Sequence, residues 1–375
     1  MNQVKSLSYK ADELAIVWED TSESRLQAIW LRDHCQMPSS RNPDNGQRLL
    51  NITDIPQDLA IETVTLEDRR LIVRFAPDGH RSEFDLDWLY DNCYCLNRQS
   101  DDRSEVSKIL WSGTSFEQGL PRYSYTNFCQ QPKSRLAALQ VVSDYGFVLL
   151  DGVPRKPGQL LKVIEQFGYV RETNYGPFFE VRTRVDPSNL AYTNLGLGCH
   201  LDNPYRDPVP GLQLLHCLES STEGGESILQ DGFMAAKILR EEDSDHFGLL
   251  SQNWVSFRFR DNNADLQARG PLIEVNDLDE VIKLRFNNRS IDTLRLPPAV
   301  MRRFYPAYRH FAEILEREQQ QIVFKLQPGE LILFDNTRIL HARKAYSAGG
   351  TRHLQGAYSD LDGLYSSLRK LNEGS

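Results

Sequence analysis

Short apolar runs broken by turn signals make up most of this chain. Leu14-Ala15-Ile16-Val17-Trp18 is one such run and reads as a strand. Residues 60–66 alternate apolar and polar positions, Asp68-Arg69-Arg70 makes a turn, and residues 71–75 are apolar again, the pattern of a β-hairpin. Pro77-Asp78-Gly79 marks a further turn before Ser82-Glu83-Phe84, and Trp88-Leu89-Tyr90 closes this first unit. Residues 97–107 are polar, charged and aperiodic, as a connection would be. Trp111 and Pro121-Arg122-Tyr123 are the residues to strap it to the next unit.

Helical spacing runs over residues 135–145 and 157–167, with a strand between them at 146–152. Beyond that, strands are predicted at 212–218, 226–229, 272–275, 281–286, 321–326 and 330–334. One helix, 298–318, interrupts them. Many short strands with few helices indicate a mainly β protein with flanking helices, built as a double-sheet jelly roll or barrel. The expected organisation is a small β-rich N-terminal domain over 1–100, a connection over 101–127 and a catalytic domain over 128–375.

Composition changes this picture little. At 375 residues, 40% hydrophobic and 25% charged, the chain is an ordinary globular protein able to bury a core. A net charge of −9 is opposite to the basic footprint that nucleic acid requires. No apolar run is long enough to span a bilayer, and residues 1–13 lack the apolar core of a signal peptide, so a cytoplasmic location is expected. The six cysteines, at positions 35, 93, 95, 129, 199 and 217, are then free thiols or metal ligands rather than a disulfide framework.

The chemistry concentrates at three places. Cys199-His200-Leu201-Asp202 contains a His-x-Asp step, and in a strand residues two apart point to the same side. His341, after the apolar run 331–334 and the turn Asp335-Asn336, is the best candidate for a third ligand. Two imidazoles and one carboxylate on one face of an ion leave three positions open, which suits non-haem iron(II). On its own a His-x-Asp step is more often a hydrogen-bonded pair at a strand end. Arg352, eleven residues past His341, strengthens the metal reading. An arginine on the next strand can pair bidentately with a distal carboxylate, and a 2-oxo acid carrying one is 2-oxoglutarate. The competing reading of a lone arginine is a surface ion pair.

These residues together resemble the γ-butyrobetaine dioxygenase branch of the taurine dioxygenase-like 2-oxoglutarate oxygenases. The resemblance starts at Trp30-Leu31-Arg32-Asp33 and Trp88-Leu89. It continues through 211–217, Gly224-Gly225-Glu226-Ser227 and Phe334-Asp335-Asn336 to Arg352-His353-Leu354-Gln355-Gly356-Ala357-Tyr358. It implies a double-stranded β-helix (jelly-roll) catalytic domain and iron(II) on His200, Asp202 and His341. It also implies 2-oxoglutarate held by Arg352 with Leu215 and Ser227, O2 as oxidant, ascorbate as activator, and a homodimer. The family's N-terminal domain usually carries zinc on three cysteines and a histidine. Here Cys35 and His80 match, two cysteine positions are lost in Met37-Pro38-Ser39-Ser40, and Cys93 and Cys95 are the candidate replacements for a structural zinc site.

By the same resemblance, Tyr175, Phe179, Tyr192 and Tyr358 form an aromatic cage for a trimethylammonium group. Asn189 and Asn287 match substrate-contacting asparagines. The departures are Asn203, directly after the metal aspartate, and Asn288-Arg289, where relatives have apolar or small residues. Extra donors, one of them a fixed cation, suit a three-oxygen head group. The reading drawn from them is hydroxylation of 2-(trimethylammonio)ethylphosphonate next to phosphorus, in organophosphonate breakdown. The alternatives are γ-butyrobetaine hydroxylation to carnitine and a cupin-like binding protein without turnover. Trimethyllysine fits less well, with no evident site for its amino acid end.

Overall fold

The computed structural model describes residues 2–94, 108–182, 195–347 and 350–373. They belong to two compact units, Met1–Glu105 and Val106–Ser375.

In the first unit, two three-stranded antiparallel sheets share one core. One sheet is Val4–Tyr9, Glu13–Trp18 and Glu23–Gln27, and the other is Ala60–Glu67, Arg70–Ala76 and Arg81–Asp85. Strand alternation decides what is buried: Leu14, Ile16 and Trp18 point inward from one strand, Leu71, Val73 and Phe75 from another. The run 88–90 is helical, inside Leu86–Asn92, because the Asp85 carboxylate caps the Asp87 and Trp88 amides. The expected zinc set is not brought together among the described residues. Cys35 Sγ and His80 Nε2 lie 3.4 Å apart. Cys93 instead sits in the apolar core, accepting from the Ser24 hydroxyl at 3.1 Å, and does not join that pair at ligand distance. Cys95 lies outside the described residues.

The second unit holds two larger sheets. One has six strands in the order Arg122–Ser124, Phe147–Asp151, Leu331–Asp335, Leu212–Ser220, Arg352–Ser359, Phe179–Val181. The other has four, in the order Leu197–His200, Ile339–Arg343, Ser227–Asp231, Gln321–Phe324. All pairings are antiparallel except Arg122–Ser124 with Phe147–Asp151. The central strands are apolar on both faces. Phe147, Leu149, Ile332 and Phe334 pack with Leu229, Ile322 and Ile339 of the four-stranded sheet. Val148, Leu150, Leu331 and Leu333 pack outward under the helices Pro132–Tyr145, Gln159–Ile164 and Leu361–Glu373.

Two differences from the sequence expectation bear on the site. Part of the expected connection belongs to this unit's core: Trp111 is fully buried against Phe147, and Arg122–Ser124 is an edge strand. More than one helix interrupts the strands. Gly232–Glu242 and Ser244–Gln252 precede Pro298–Leu315, and all three pack around Phe233, Leu239, Leu250, Phe304 and Phe311. Their start signals are the side chains of Asp231 and Asp243, which cap the Phe233 and His246 amides. Asp231 has a second task. Together with Arg338 it forms a fully buried ion pair with contacts of 3.0 and 2.8 Å, and the guanidinium also donates to the carbonyls of Asp144 and Ile109. Every donor so used is satisfied, which is the condition under which a buried pair is tolerable. The pair fixes the turn that delivers the strand carrying His341.

Candidate active site

His200 and His341 sit opposite each other in register at the edge of the four-stranded sheet, their ring centroids 4.2 Å apart. The strand ends at His200. Asp202 therefore lies in a bend rather than in the strand that the His-x-Asp reading assumed. Its position comes from a residue far along the chain. The Asn336 amide accepts from the Asp202 backbone N–H at 2.9 Å and donates to its carbonyl at 3.0 Å. By this route ligand atoms of His200, Asp202 and His341 all come to lie within 4.8 Å of one another.

The surroundings prepare these groups for a cation. His200 Nδ1 donates to the Gly198 carbonyl at 2.8 Å, which leaves Nε2 with a free lone pair, 3.5 Å from Asp202 Oδ1. Asp202 Oδ2 accepts from Gln213 Nε2 at 2.9 Å and from the Tyr358 hydroxyl at 2.8 Å. Burial by itself would raise the Asp202 carboxyl, but the polar groups around it, the two imidazoles and the Tyr358 hydroxyl among them, hold it well below the usual range. Burial, with His200 beside it, pushes the His341 imidazole down to about 3. An ionised Asp202 and a neutral His341 are the protonation states a divalent metal requires of them.

One cavity joins this cluster to Arg352. His200, Asp202, Gln213, Leu215, Ser227, His341, Arg343 and Arg352 line it, which brings Arg352, Leu215 and Ser227 into one cavity with the cluster. Nη1 of Arg352 is buried and makes no hydrogen bond among the described residues. Burial, and after it the neighbouring Arg343 charge, pushes Arg352 down to about 10. A half-buried cation with a free donor at the end of a cavity is an incomplete site for a carboxylate.

Three members of the expected cage are contiguous. Phe179 stacks on Tyr358 at 5.2 Å and lies 6.1 Å from Tyr175. Phe259, 6.0 Å from Tyr175, and Tyr205, stacked on Phe259 at 5.2 Å, extend the aromatic wall. The sequence reading missed both, because nothing local ties the Val255–Arg260 strand to this cluster. Tyr192 and Asn189 lie outside the described residues.

Asn203 is buried at φ 58°, a left-handed conformation that asparagine tolerates. Its Oδ1 accepts from the Tyr205 hydroxyl at 2.7 Å, while Nδ2 makes no hydrogen bond among the described residues. Asn287 is engaged with the backbone, donating to the Leu201 carbonyl and accepting from the Arg289 amide, both at 3.1 Å. Asn288 accepts from the Tyr308 hydroxyl at 2.9 Å. Arg289 is exposed and makes no ion pair among the described residues. It borders the same cleft as His200, close enough for the Asp202 and His341 charges to be felt.

Comparison with known proteins agrees with this geometry. Residues 114–358 match the model of the taurine catabolism dioxygenase TauD, TfdA family. Residues 5–90 match that of the gamma-butyrobetaine hydroxylase-like N-terminal region. The chain is 33% identical over 362 residues to a gamma-butyrobetaine dioxygenase of Pseudomonas sp. (strain AK-1), covering 96% of this chain and 93% of that protein. It is 31% identical over 368 residues to the gamma-butyrobetaine dioxygenase of Homo sapiens, covering 96% and 94%. The mitochondrial trimethyllysine dioxygenase of Bos taurus is 30% identical over 354 residues, covering 92% and 83%. The protein is thus a 2-oxoglutarate-dependent non-haem iron dioxygenase. It belongs to the TauD, TfdA family, in a lineage that also carries the γ-butyrobetaine hydroxylase-like N-terminal region. Among the described residues, no helix is long and apolar enough to cross a membrane.

Proposed function

We propose that this enzyme hydroxylates a small zwitterion carrying a trimethylammonium group, and that the zwitterion is γ-butyrobetaine, giving carnitine. The observation that carries the chemistry is the unpartnered Nη1 of Arg352 in the cavity that also contains His200, Asp202 and His341. In this reading those three residues hold iron(II), which supplies oxygen activation coupled to decarboxylation of 2-oxoglutarate. Arg352 takes the far carboxylate of the cosubstrate, with Leu215 and Ser227 along its length. The catalytic fold is a double-stranded β-helix within 128–375, preceded by a small N-terminal domain over 1–100 and a connection that includes part of 101–127. Ascorbate as activator and a homodimer complete the reading.

The protein's own contribution is position. Tyr175, Phe179 and Tyr358 offer aromatic surface to a cation that has no N–H to donate, and the family resemblance adds Tyr192. Arg289, on the cleft that His200 also lines, attracts the anionic end, and the buried Nδ2 of Asn203, one residue past Asp202, is a further donor without a partner among the described residues. Holding both ends of the substrate leaves one methylene toward the metal, and that restriction selects the C–H bond. Gln213 and Tyr358 fix the orientation of the Asp202 carboxylate.

Relatives at 31–33% identity over nearly the whole chain favour γ-butyrobetaine over the phosphonate suggested by Asn203 and Arg289. A fixed cation and an amide serve a carboxylate as well as a phosphonate. The second reading, 2-(trimethylammonio)ethylphosphonate, keeps the support of those two free donors. Side-by-side turnover of the two compounds, each monitored by mass change, decides between them. Hydroxylation of γ-butyrobetaine with the phosphonate inert bears the proposal out. The reverse preference overturns it and gives Asn203 and Arg289 a phosphonate.

A further inference from the structure

Away from the catalytic cavity, the three helices downstream of the Ser227–Asp231 strand bring a second set of ligand-type side chains together. Asp243 caps Ser244–Gln252, His246 lies one turn into that helix, and His310 lies on Pro298–Leu315. Ligand atoms of the three lie within 4.8 Å of one another. His246 Nδ1 is 3.1 Å from His310 Nδ1 and 3.3 Å from Asp243 Oδ2. Four ligands arranged tetrahedrally at ~2.0 Å from a zinc-class ion are separated by roughly 3.3 Å, so both measured edges have the length that coordination imposes.

The outer contacts have the same character. His310 Nε2 meets the Glu242 carboxylate at 2.9 Å. Glu242 is gripped in turn by both terminal nitrogens of Arg317, at 2.5 and 2.8 Å. A carboxylate that accepts the N–H of one imidazole nitrogen fixes the tautomer and leaves the other nitrogen's lone pair for a metal, the arrangement that orients metal-ligating histidines. Asp243 divides its oxygens: Oδ1 accepts from the His246 amide as the helix cap, and Oδ2 faces the imidazoles. The side chains of His246 and His310 are 24% and 22% exposed, so an ion can enter and water can complete its shell. Without an ion, two Nδ1 atoms at 3.1 Å can share only one proton.

We propose that Asp243, His246 and His310 form a second metal site, for a divalent ion of the zinc class, with Glu242 as the outer carboxylate. The ion bridges Ser244–Gln252 to Pro298–Leu315 and acts as a staple between helices. The site is independent of the catalytic iron and of the substrate assignment.

The test uses the full-length chain, stripped by chelator and re-equilibrated with zinc(II), with metal content measured after dialysis. His310→Gln and His246→Asn should each bind one equivalent less than the unaltered protein. Asp243→Asn keeps an oxygen for the helix cap and should lose the same equivalent, which separates lost coordination from lost folding. Glu242→Gln should weaken zinc binding by roughly 10- to 100-fold without removing a ligand. Cobalt(II) gives a second readout: the intense visible bands of a four-coordinate ion should appear in the unaltered protein and vanish in His310→Gln. Equal zinc content and equal cobalt spectra in the unaltered protein, His310→Gln and Asp243→Asn would overturn the proposal and leave a hydrogen-bonded histidine pair.

Discussion

Replacing Arg352 by leucine tests the cosubstrate assignment with a magnitude taken from the structure. Burial first, and the Arg343 charge second, push the guanidinium down from its ordinary 12.5 to about 10. At ~1.36 kcal/mol per pKa unit, that difference is about 3 kcal/mol of unfavourable environment for the cation. The guanidinium is thus held in place, partly desolvated and short of an anion. Breaking a buried, hydrogen-bonded charge pair at one partner costs on the order of 3 kcal/mol, equivalent to roughly a hundredfold in binding. Arg352→Leu should lower kcat/KM for 2-oxoglutarate by about a hundredfold, chiefly through KM, while the KM of the ammonium substrate stays put. Arg352→Lys keeps the charge but not the planar fork, and should fall between. The assay is succinate formation against 2-oxoglutarate concentration, repeated with a 2-oxo acid that lacks the distal carboxylate. The Leu variant should lose its preference for 2-oxoglutarate over that analogue. An unchanged 2-oxoglutarate requirement in the Leu variant would refute the assignment of Arg352.

The other expectations concern the metal, the cage and stability. Gln213→Leu removes a donor to Asp202 Oδ2 and should weaken iron(II) binding by about 10- to 100-fold, as read by metal titration. Gly356→Ala would drive its Cβ into the Phe179 ring, so KM for the ammonium substrate should rise while that for 2-oxoglutarate does not, as read by initial rates. His216 is fully buried, and burial pushes its imidazole down to about 4. The unfolded chain then binds the proton more readily, so this contribution is intact above the ordinary value of 6.5 and lost as pH falls from there to about 4. The loss is about 3 kcal/mol, and urea unfolding of His216→Leu should show a correspondingly smaller drop between roughly pH 7 and pH 4.

The parts legible in the sequence were those written locally. Apolar runs bounded by turn signals located the strands around Leu14, Val73 and Leu333, and alternation over 60–66 located the partner of 71–75. The clustering of His200, Asp202 and His341 was legible because spacing, the later histidine and Arg352 constrain one another. What escaped was set at long range. Asp202 is aimed by Asn336, 134 residues away, rather than by strand geometry. The ion pair of Arg338 with Asp231 spans 107 residues, and no periodicity announces it. Phe259 and Tyr205 reach the aromatic wall from a separate hairpin and loop. The helices Gly232–Glu242 and Ser244–Gln252 open on glycine and serine, with only their aspartate caps as local signals. In the N-terminal unit, the family resemblance suggested a zinc set with Cys93 as a replacement ligand, but Cys93 is drawn into the core beside Ser24.

The most direct test of the central claim is succinate formation from 2-oxoglutarate in the presence of γ-butyrobetaine, with and without iron(II), for the unaltered protein and Asp202→Ala. The account predicts succinate and hydroxylated product in equal amounts, dependent on iron and absent in the variant. Product formed without iron, or undiminished in Asp202→Ala, would contradict it.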